Sequence, residues 1–278
     1  MSDYTEEAKR IPWKSLGRET TVSRIGRSLL PVGVLPFTPL YVNPKEIPVI
    51  SNDHPDSEKF LMNIIGTAIQ AAKGKLVTCL HVAETLAKQK CGAYLLARLF
   101  RTDSVRYMPY PLQHVVRYLD PRTNRGNASV DLAVLICAVK NTPELPYEIP
   151  PVEWGDSSEV GVGDSVVVGG YPHGTEMFKF TKTNRGLIQP TFYHGIISAI
   201  IPALQDGETR IIQISVACAG GMSGGAVFNP ETGKVIGMIT SCVHAESIPQ
   251  PISYALLSEI IAPFVNTIRV QTTSGDWF

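Results

Sequence analysis

Ala219-Gly220-Gly221-Met222-Ser223-Gly224-Gly225-Ala226-Val227 sets one serine in a run of glycines directly before an apolar strand. A serine hydroxyl is a weak nucleophile at neutral pH. A site that uses one exposes it on a bare turn and aims backbone N–H groups at the oxyanion formed on attack. Glycines permit both. The reading of the chain therefore turns on whether other segments supply a base and an acid to orient it.

A histidine suits the base, because its ordinary pKa lets it take and return a proton near pH 7. His81 stands at the end of Lys75-Leu76-Val77-Thr78-Cys79-Leu80-His81, where a β-like run passes into a helical stretch from Ala83 to Lys90. His54, His114, His173, His194 and His244 lie in loops or polar settings, and no pair has metal-ligand spacing, so neither a metal nor a cofactor is expected. The orienting acid belongs beside an apolar strand. Asp131 meets that requirement in Ser129-Val130-Asp131-Leu132-Ala133-Val134-Leu135-Ile136. An aspartate before a strand is by itself commonly an edge residue; the conjunction with His81 and Ser223 is what singles it out.

The 278 residues correspond to about two domains, and a chain of this size buries roughly three quarters of its unfolded surface. Lysine plus arginine balance aspartate plus glutamate at 25 each, which argues against nucleic acid as a partner. No run has the length of a membrane span, and the acidic start Met1-Ser2-Asp3-Tyr4-Thr5-Glu6-Glu7 is unlike a signal peptide. The five scattered cysteines read as reduced thiols, the sequon Asn127-Ala128-Ser129 as accidental, and the protein as cytoplasmic with no membrane partner.

Short apolar runs broken by turn residues imply an all-β fold. A hairpin is expected from Ile64 to His81 around Lys73-Gly74, with strands over 93–100, 113–119 and 132–139. Further strands are expected over 165–169, 195–201, 210–216, 225–228 and 234–240, and a terminal helix from Leu256 to Val265. Residues 1–57 read as an N-terminal extension holding one candidate strand, Ser28 to Leu35. Residues 58–141 read as a first β domain, 142–160 as a Pro-rich linker, and 161–278 as a second β domain closed by the helix.

Taken together, Val77-Thr78-Cys79-Leu80-His81-Val82, Asp131-Leu132-Ala133-Val134-Leu135 and Gly221-Met222-Ser223-Gly224-Gly225, in that order, resemble trypsin-like serine proteases of the chymotrypsin fold. The Deg/HtrA branch is the nearest in flavour. Gly163-Asp164-Ser165-Val166, Gly195-Ile196-Ile197-Ser198-Ala199, Gly233-Lys234-Val235-Ile236-Gly237 and Ile252-Ser253-Tyr254-Ala255-Leu256 add to a resemblance over about residues 60 to 268. It implies two packed antiparallel β-barrels with a cleft between them, and a serine endopeptidase acting on a protein or peptide substrate. Ser223 would attack the scissile carbonyl, His81 shuttle the proton, and Asp131 fix the tautomer. The N–H groups of Gly221 and Ser223 would form the oxyanion hole. Ala217, Cys218 and Ala219 would line one wall of the specificity pocket and Thr240, Ser241 and Cys242 the other, with Ser253 nearby. The hydroxyl of Thr240 would support Asp131.

The chain departs from the family at several points. Met222 replaces the aspartate that digestive members use in zymogen activation, and the glycine-rich loop is costly to order; this argues for an oxyanion hole set only on binding a substrate or an activating protein partner. Val82 stands where secreted members carry a disulfide cysteine. Ala217 takes the place of the pocket acid of trypsin-type enzymes, so a small or medium apolar P1 residue is expected rather than Lys or Arg, with Glu246 the acid to suspect otherwise. Cys218 and Cys242 read as buried thiols, an oxidised bridge between them being the alternative. The longer loop from His173 to Arg185, with Lys179 and Lys182, is a candidate sensor, and little chain follows the helix to hold a PDZ domain. An α/β-hydrolase also uses G-x-S-x-G, but needs an acid and a histidine after the serine, where only His244 follows. A trypsin-fold module that binds without cleaving is the other reading.

Overall fold

The computed structural model describes residues 20–34, 63–72, 74–88, 93–100, 105–120, 125–126, 130–137, 149–174, 190–203, 209–243 and 252–269. Most of the extension, linker residues 142–148, the loop with Lys179, Lys182 and Arg185, and His54, His244 and Glu246 lie outside the described residues.

In chain order the first half forms α1 (Thr21–Gly26), β1 (Leu29–Val34), β2 (Asn63–Ala72), β3 (Lys75–Thr78), α2 (Leu80–Ala87), β4 (Ala93–Phe100) and β5 (Val105–Arg117). The ribbon strands β6 (Leu119–Asp120) and β7 (Arg125–Gly126) and then β8 (Ala133–Cys137) follow. A 3-10 turn at Ser157–Glu159 leads to β9 (Ser165–Gly170), β10 (Thr191–Ile201), β11 (Ile211–Ile214), β12 (Ala226–Phe228), β13 (Val235–Val243), β14 (Ile252–Leu257) and α3 (Ser258–Thr267). The strands close into two six-stranded barrels, β1-β2-β3-β8-β5-β4 and β10-β11-β14-β13-β12-β9, with every neighbouring pair antiparallel. Closure leaves neither barrel with an edge strand, and β6 and β7 form a separate two-stranded ribbon. The all-β, two-barrel expectation holds.

Two elements correct the sequence reading. β1 belongs to the first barrel and not to an extension over 1–57: it pairs with both β2 and β4, and Leu29, Leu30 and Val32 are buried in the core. β14 is a strand, and the terminal helix starts at Ser258 rather than Leu256. Leu256 and Leu257 pair with Ile211 and Gly237 and are both buried, giving the unbroken apolar run that periodicity cannot tell from a buried helix.

The first barrel packs around Ile69, Leu76, Leu132 and Leu135, and its cluster continues into Phe228, Met238 and Ile261 of the second half. The second barrel packs around Ile197, Ile212, Ile214 and Met222. The described part of the linker runs between them as an added seam. Val152 N–H donates to the Gln70 carbonyl at 2.9 Å, and Val235 exchanges backbone bonds of 2.8 Å with Glu153 and Gly155. α3 returns to the first barrel, where the Phe264 ring meets Tyr118 edge-on at 5.2 Å and Lys75 Nζ donates to the Ile268 carbonyl at 2.8 Å. Among the described residues no helix is long and apolar enough to cross a membrane.

Candidate active site

Strand β3 ends at Thr78, Cys79 forms the N-cap, and α2 begins at Leu80, so His81 projects from the first turn of a helix rather than from a strand end. The Asp131 carboxylate, just ahead of β8, grips His81 twice. Oδ2 lies 2.7 Å from His81 Nδ1, and Oδ1 accepts the His81 backbone N–H at 3.0 Å. The second bond sets where the helix starts relative to the acid, and the first fixes the ring. An imidazole held through Nδ1 presents Nε2 outward as the proton acceptor. The hydrogen bond from Asp131 raises the His81 pKa above its ordinary value against an opposing push from burial. Burial pushes the Asp131 pKa up, but hydrogen bonds from the His81 ring and backbone N–H outweigh it and hold the carboxyl below its usual range.

Cys79 lies close to Asp131, whereas the Thr240 hydroxyl donates to the Tyr254 carbonyl at 3.3 Å. The Cys79 thiol is fully buried and donates to the Ile239 carbonyl at 3.1 Å, while burial and the adjacent Asp131 carboxylate push its pKa well up. Ligand atoms of Cys79, His81 and Asp131 lie within 4.8 Å of one another, a spacing that these hydrogen bonds account for without an ion.

Ser223 comes from the loop before β12. Met222 N–H donates to the Ala219 carbonyl at 3.1 Å, closing a turn whose third residue, Gly221, has φ +93°. That value marks a type II turn and suits glycine. A Cβ there would also lie 2.2 Å from the Tyr171 carbonyl oxygen. Gly224, at φ +87°, lies so close to β2 that a Cβ would be 2.0 Å from the Thr67 carbonyl oxygen. The carbonyls of Ala219, Gly221, Met222 and Ser223 each accept a hydrogen bond, from Met222 N–H, the Thr67 hydroxyl, Gly225 N–H and Thr67 N–H. The loop, expected from its glycines to order on binding, is hydrogen-bonded at these four carbonyls. Among the described residues, the N–H groups of Gly221 and Ser223 have no acceptor. Gly221 is buried, and a buried donor left unpaired costs about 1–3 kcal/mol. Among the described residues the Ser223 hydroxyl donates no hydrogen bond to His81, although a Cβ at Gly66 of β2 would touch both the Val82 side chain, next to His81, and the Ser223 carbonyl.

The expected pocket residues converge on the ends of β11, β13 and β14. Ser253 is buried and donates to the Val216 carbonyl at 2.6 Å, with the Cys242 Sγ 3.6 Å from its hydroxyl. Cys218 and Cys242 are free thiols that hydrogen-bond each other, and that bond, with burial, pushes the Cys218 pKa up. Thr240 is half-buried, Ala219 likewise, and Ala217 and Ser241 are exposed.

This arrangement matches known proteins. The family profile described as a trypsin-like peptidase domain fits residues 66–238, a span that takes in His81, Asp131 and Ser223. The chain belongs to this family. No curated protein sequence matches it. Among solved structures it is similar to the HtrA-type protease AlgW with decapeptide, at 23% identity and TM-score 0.55, covering 89% of this chain and 66% of that one. It is also similar to an inactive form of Rv3671c from M. tuberculosis H37Rv in which a serine is changed to alanine. The identity there is 20% and the TM-score 0.52, with 91% of this chain and 92% of that one covered. These similarities are of fold, and the chain spans about two thirds of the AlgW structure. Within the trypsin-like frame, sequence reasoning missed Cys79 beside Asp131 and Thr67 beside Gly221. Cys79 sat inside the quoted histidine block, and its spacing from His81 was the available signal; Thr67 carries none.

Proposed function

We propose that this trypsin-like protein is a serine endopeptidase that hydrolyses peptide bonds through an acyl-enzyme. The reading is carried by the His81–Asp131 pair, with its 2.7 Å bond, in the same barrel whose Thr67 is bonded to the carbonyls of Gly221 and Ser223. His81 takes the Ser223 proton as the hydroxyl attacks the substrate carbonyl, and returns it to the leaving amine; water then repeats the sequence on the acyl-serine. Gly221 and Ser223 N–H groups receive the oxyanion. Asp131 holds the ring and stabilises the imidazolium. Ala217, Cys218, Ala219, Thr240, Ser241, Cys242 and Ser253 receive the P1 side chain. With no carboxylate among them a cationic side chain would be buried unpaired, so small or medium apolar residues fit best. Reduced Cys79, Cys218 and Cys242 suit a reducing, cytoplasmic setting.

The non-cleaving alternative draws on one observation, the missing hydrogen bond between His81 and the Ser223 hydroxyl. Catalytic bonds are often long without substrate, which weakens that argument. A fluorophosphonate probe separates the two readings. Labelling of the wild type that vanishes in Ser223→Ala is expected of the peptidase, and an unlabelled wild type would leave the binding module standing.

A further inference from the structure

Thr67 lies in β2, in the barrel that does not contain the nucleophile, and is fully buried. Its hydroxyl donates to the Gly221 carbonyl at 2.8 Å and accepts the Tyr171 N–H at 3.0 Å. Its backbone N–H donates to the Ser223 carbonyl at 2.9 Å, and its carbonyl accepts the Thr78 hydroxyl at 2.7 Å. Every polar group of this residue is therefore engaged, and two of its bonds reach the two residues whose N–H groups are unpaired.

The geometry of that grip is specific. Successive peptide planes in the loop are 220–221, 221–222, 222–223 and 223–224. The unpaired donors belong to the first and third, and Thr67 holds the second and fourth through their carbonyls. Fixing a plane on each side of the Ser223 donor, and one next to the Gly221 donor, limits the rotations that would swing either N–H away. Met222, whose side chain is apolar and fully buried, has no side-chain group to supply such a bond from within the loop. The Tyr171 turn adds a third element to the same hydroxyl. Gly221 packs against that turn so closely that a Cβ there would lie 2.2 Å from the Tyr171 carbonyl oxygen.

We propose that Thr67 is the positioning residue of the oxyanion site: a first-barrel hydroxyl that holds the second barrel's donor loop in its working shape. The proposal rests on the peptidase reading above. Its consequence is that removing the hydroxyl lowers the rate of the chemical step and leaves substrate binding unchanged. Loss of one oxyanion donor costs about a hundredfold to a thousandfold in turnover. A donor that is misaligned rather than deleted should cost less, roughly tenfold to a hundredfold.

The test compares wild type, Thr67→Val, Thr67→Ser and Ser223→Ala. Three quantities are read: the labelling rate with a rhodamine fluorophosphonate, kcat and KM on an N-blocked Ala-Ala p-nitrophenyl ester, and amide hydrogen exchange at Met222, Gly224 and Gly225. Thr67→Val is expected to label and turn over about tenfold to a hundredfold more slowly at unchanged KM, with those amides exchanging at least about tenfold faster. Thr67→Ser, which keeps the hydroxyl, should return to within about threefold of wild type on every readout. Should the valine variant not fold, Thr67→Cys, a weaker donor of similar size, takes its place with a smaller loss of the same pattern. A folded Thr67→Val that labels, turns over and exchanges like wild type overturns the proposal and leaves the peptidase reading intact. So does a loss confined to melting temperature. A wild type unlabelled under conditions where it is folded removes both.

Discussion

The two halves of the site are held in opposite ways. His81 and Asp131, from the first barrel, are joined through side chains at a solvent-facing edge, with 51% and 30% of those side chains exposed. The Ser223 loop, from the second, is held almost wholly through backbone groups and lies mostly buried, with Met222 at 0%. A side-chain pair can be retuned by one substitution and by pH. A backbone cradle answers to what it is packed against, and the hydroxyl packed against it belongs to the other barrel.

Substitutions can break this comparison on either side. Ser223→Ala should reduce turnover by about a millionfold, read as steady-state kcat, and leave the His81–Asp131 pair as it is. Asp131→Asn should lower kcat by about ten-thousandfold through the wrong tautomer. It should also move the pH–rate midpoint. The Asp131 hydrogen bond raises the His81 pKa, and the free base is the working form, so activity rises as pH climbs through that raised value; without the carboxylate the midpoint falls. A midpoint that stays or rises would sink this account.

Gly221→Ala attacks the cradle directly. Positive φ and the close Tyr171 carbonyl should together cost about 3 kcal/mol, lowering Tm by about 5 °C in a thermal melt, with kcat reduced as well. The smallest effect is expected at Thr240→Val. Its hydroxyl bonds Tyr254 rather than Asp131, so kcat/KM should stay within about twofold of wild type, whereas Cys79→Ala, which empties the buried space beside the acid, should lower it further. A larger loss at Thr240 than at Cys79 would restore Thr240 as the support of Asp131.

What could be read from the chain follows the same division. His81, Asp131 and Ser223 were legible because the chemistry demands those residue types and their order along the chain matched a family. The barrels were legible wherever turns punctuate apolar runs, as at Asn229 to Gly233 between β12 and β13. β1 was less so: six residues containing Pro31 and Gly33, amid Pro-rich and charged sequence, show their role only by pairing with β2 and β4. Thr67 was illegible because a β-branched residue inside a strand is what strand propensity alone would place there. Cys79 misled in the other direction. The family pattern pointed to a hydroxyl on β13, and the group found close to Asp131 is a thiol at the N-cap of α2.

The return of α3 to the first barrel has a mechanical consequence. α3 bridges the two halves: it leans on the first barrel through Phe264 against Tyr118 and through Lys75 on the Ile268 carbonyl, and on the second half through Glu259, which accepts from Arg210 at 2.8 Å. A load applied to α3 is therefore shared between the half that carries His81 and the half that carries Ser223.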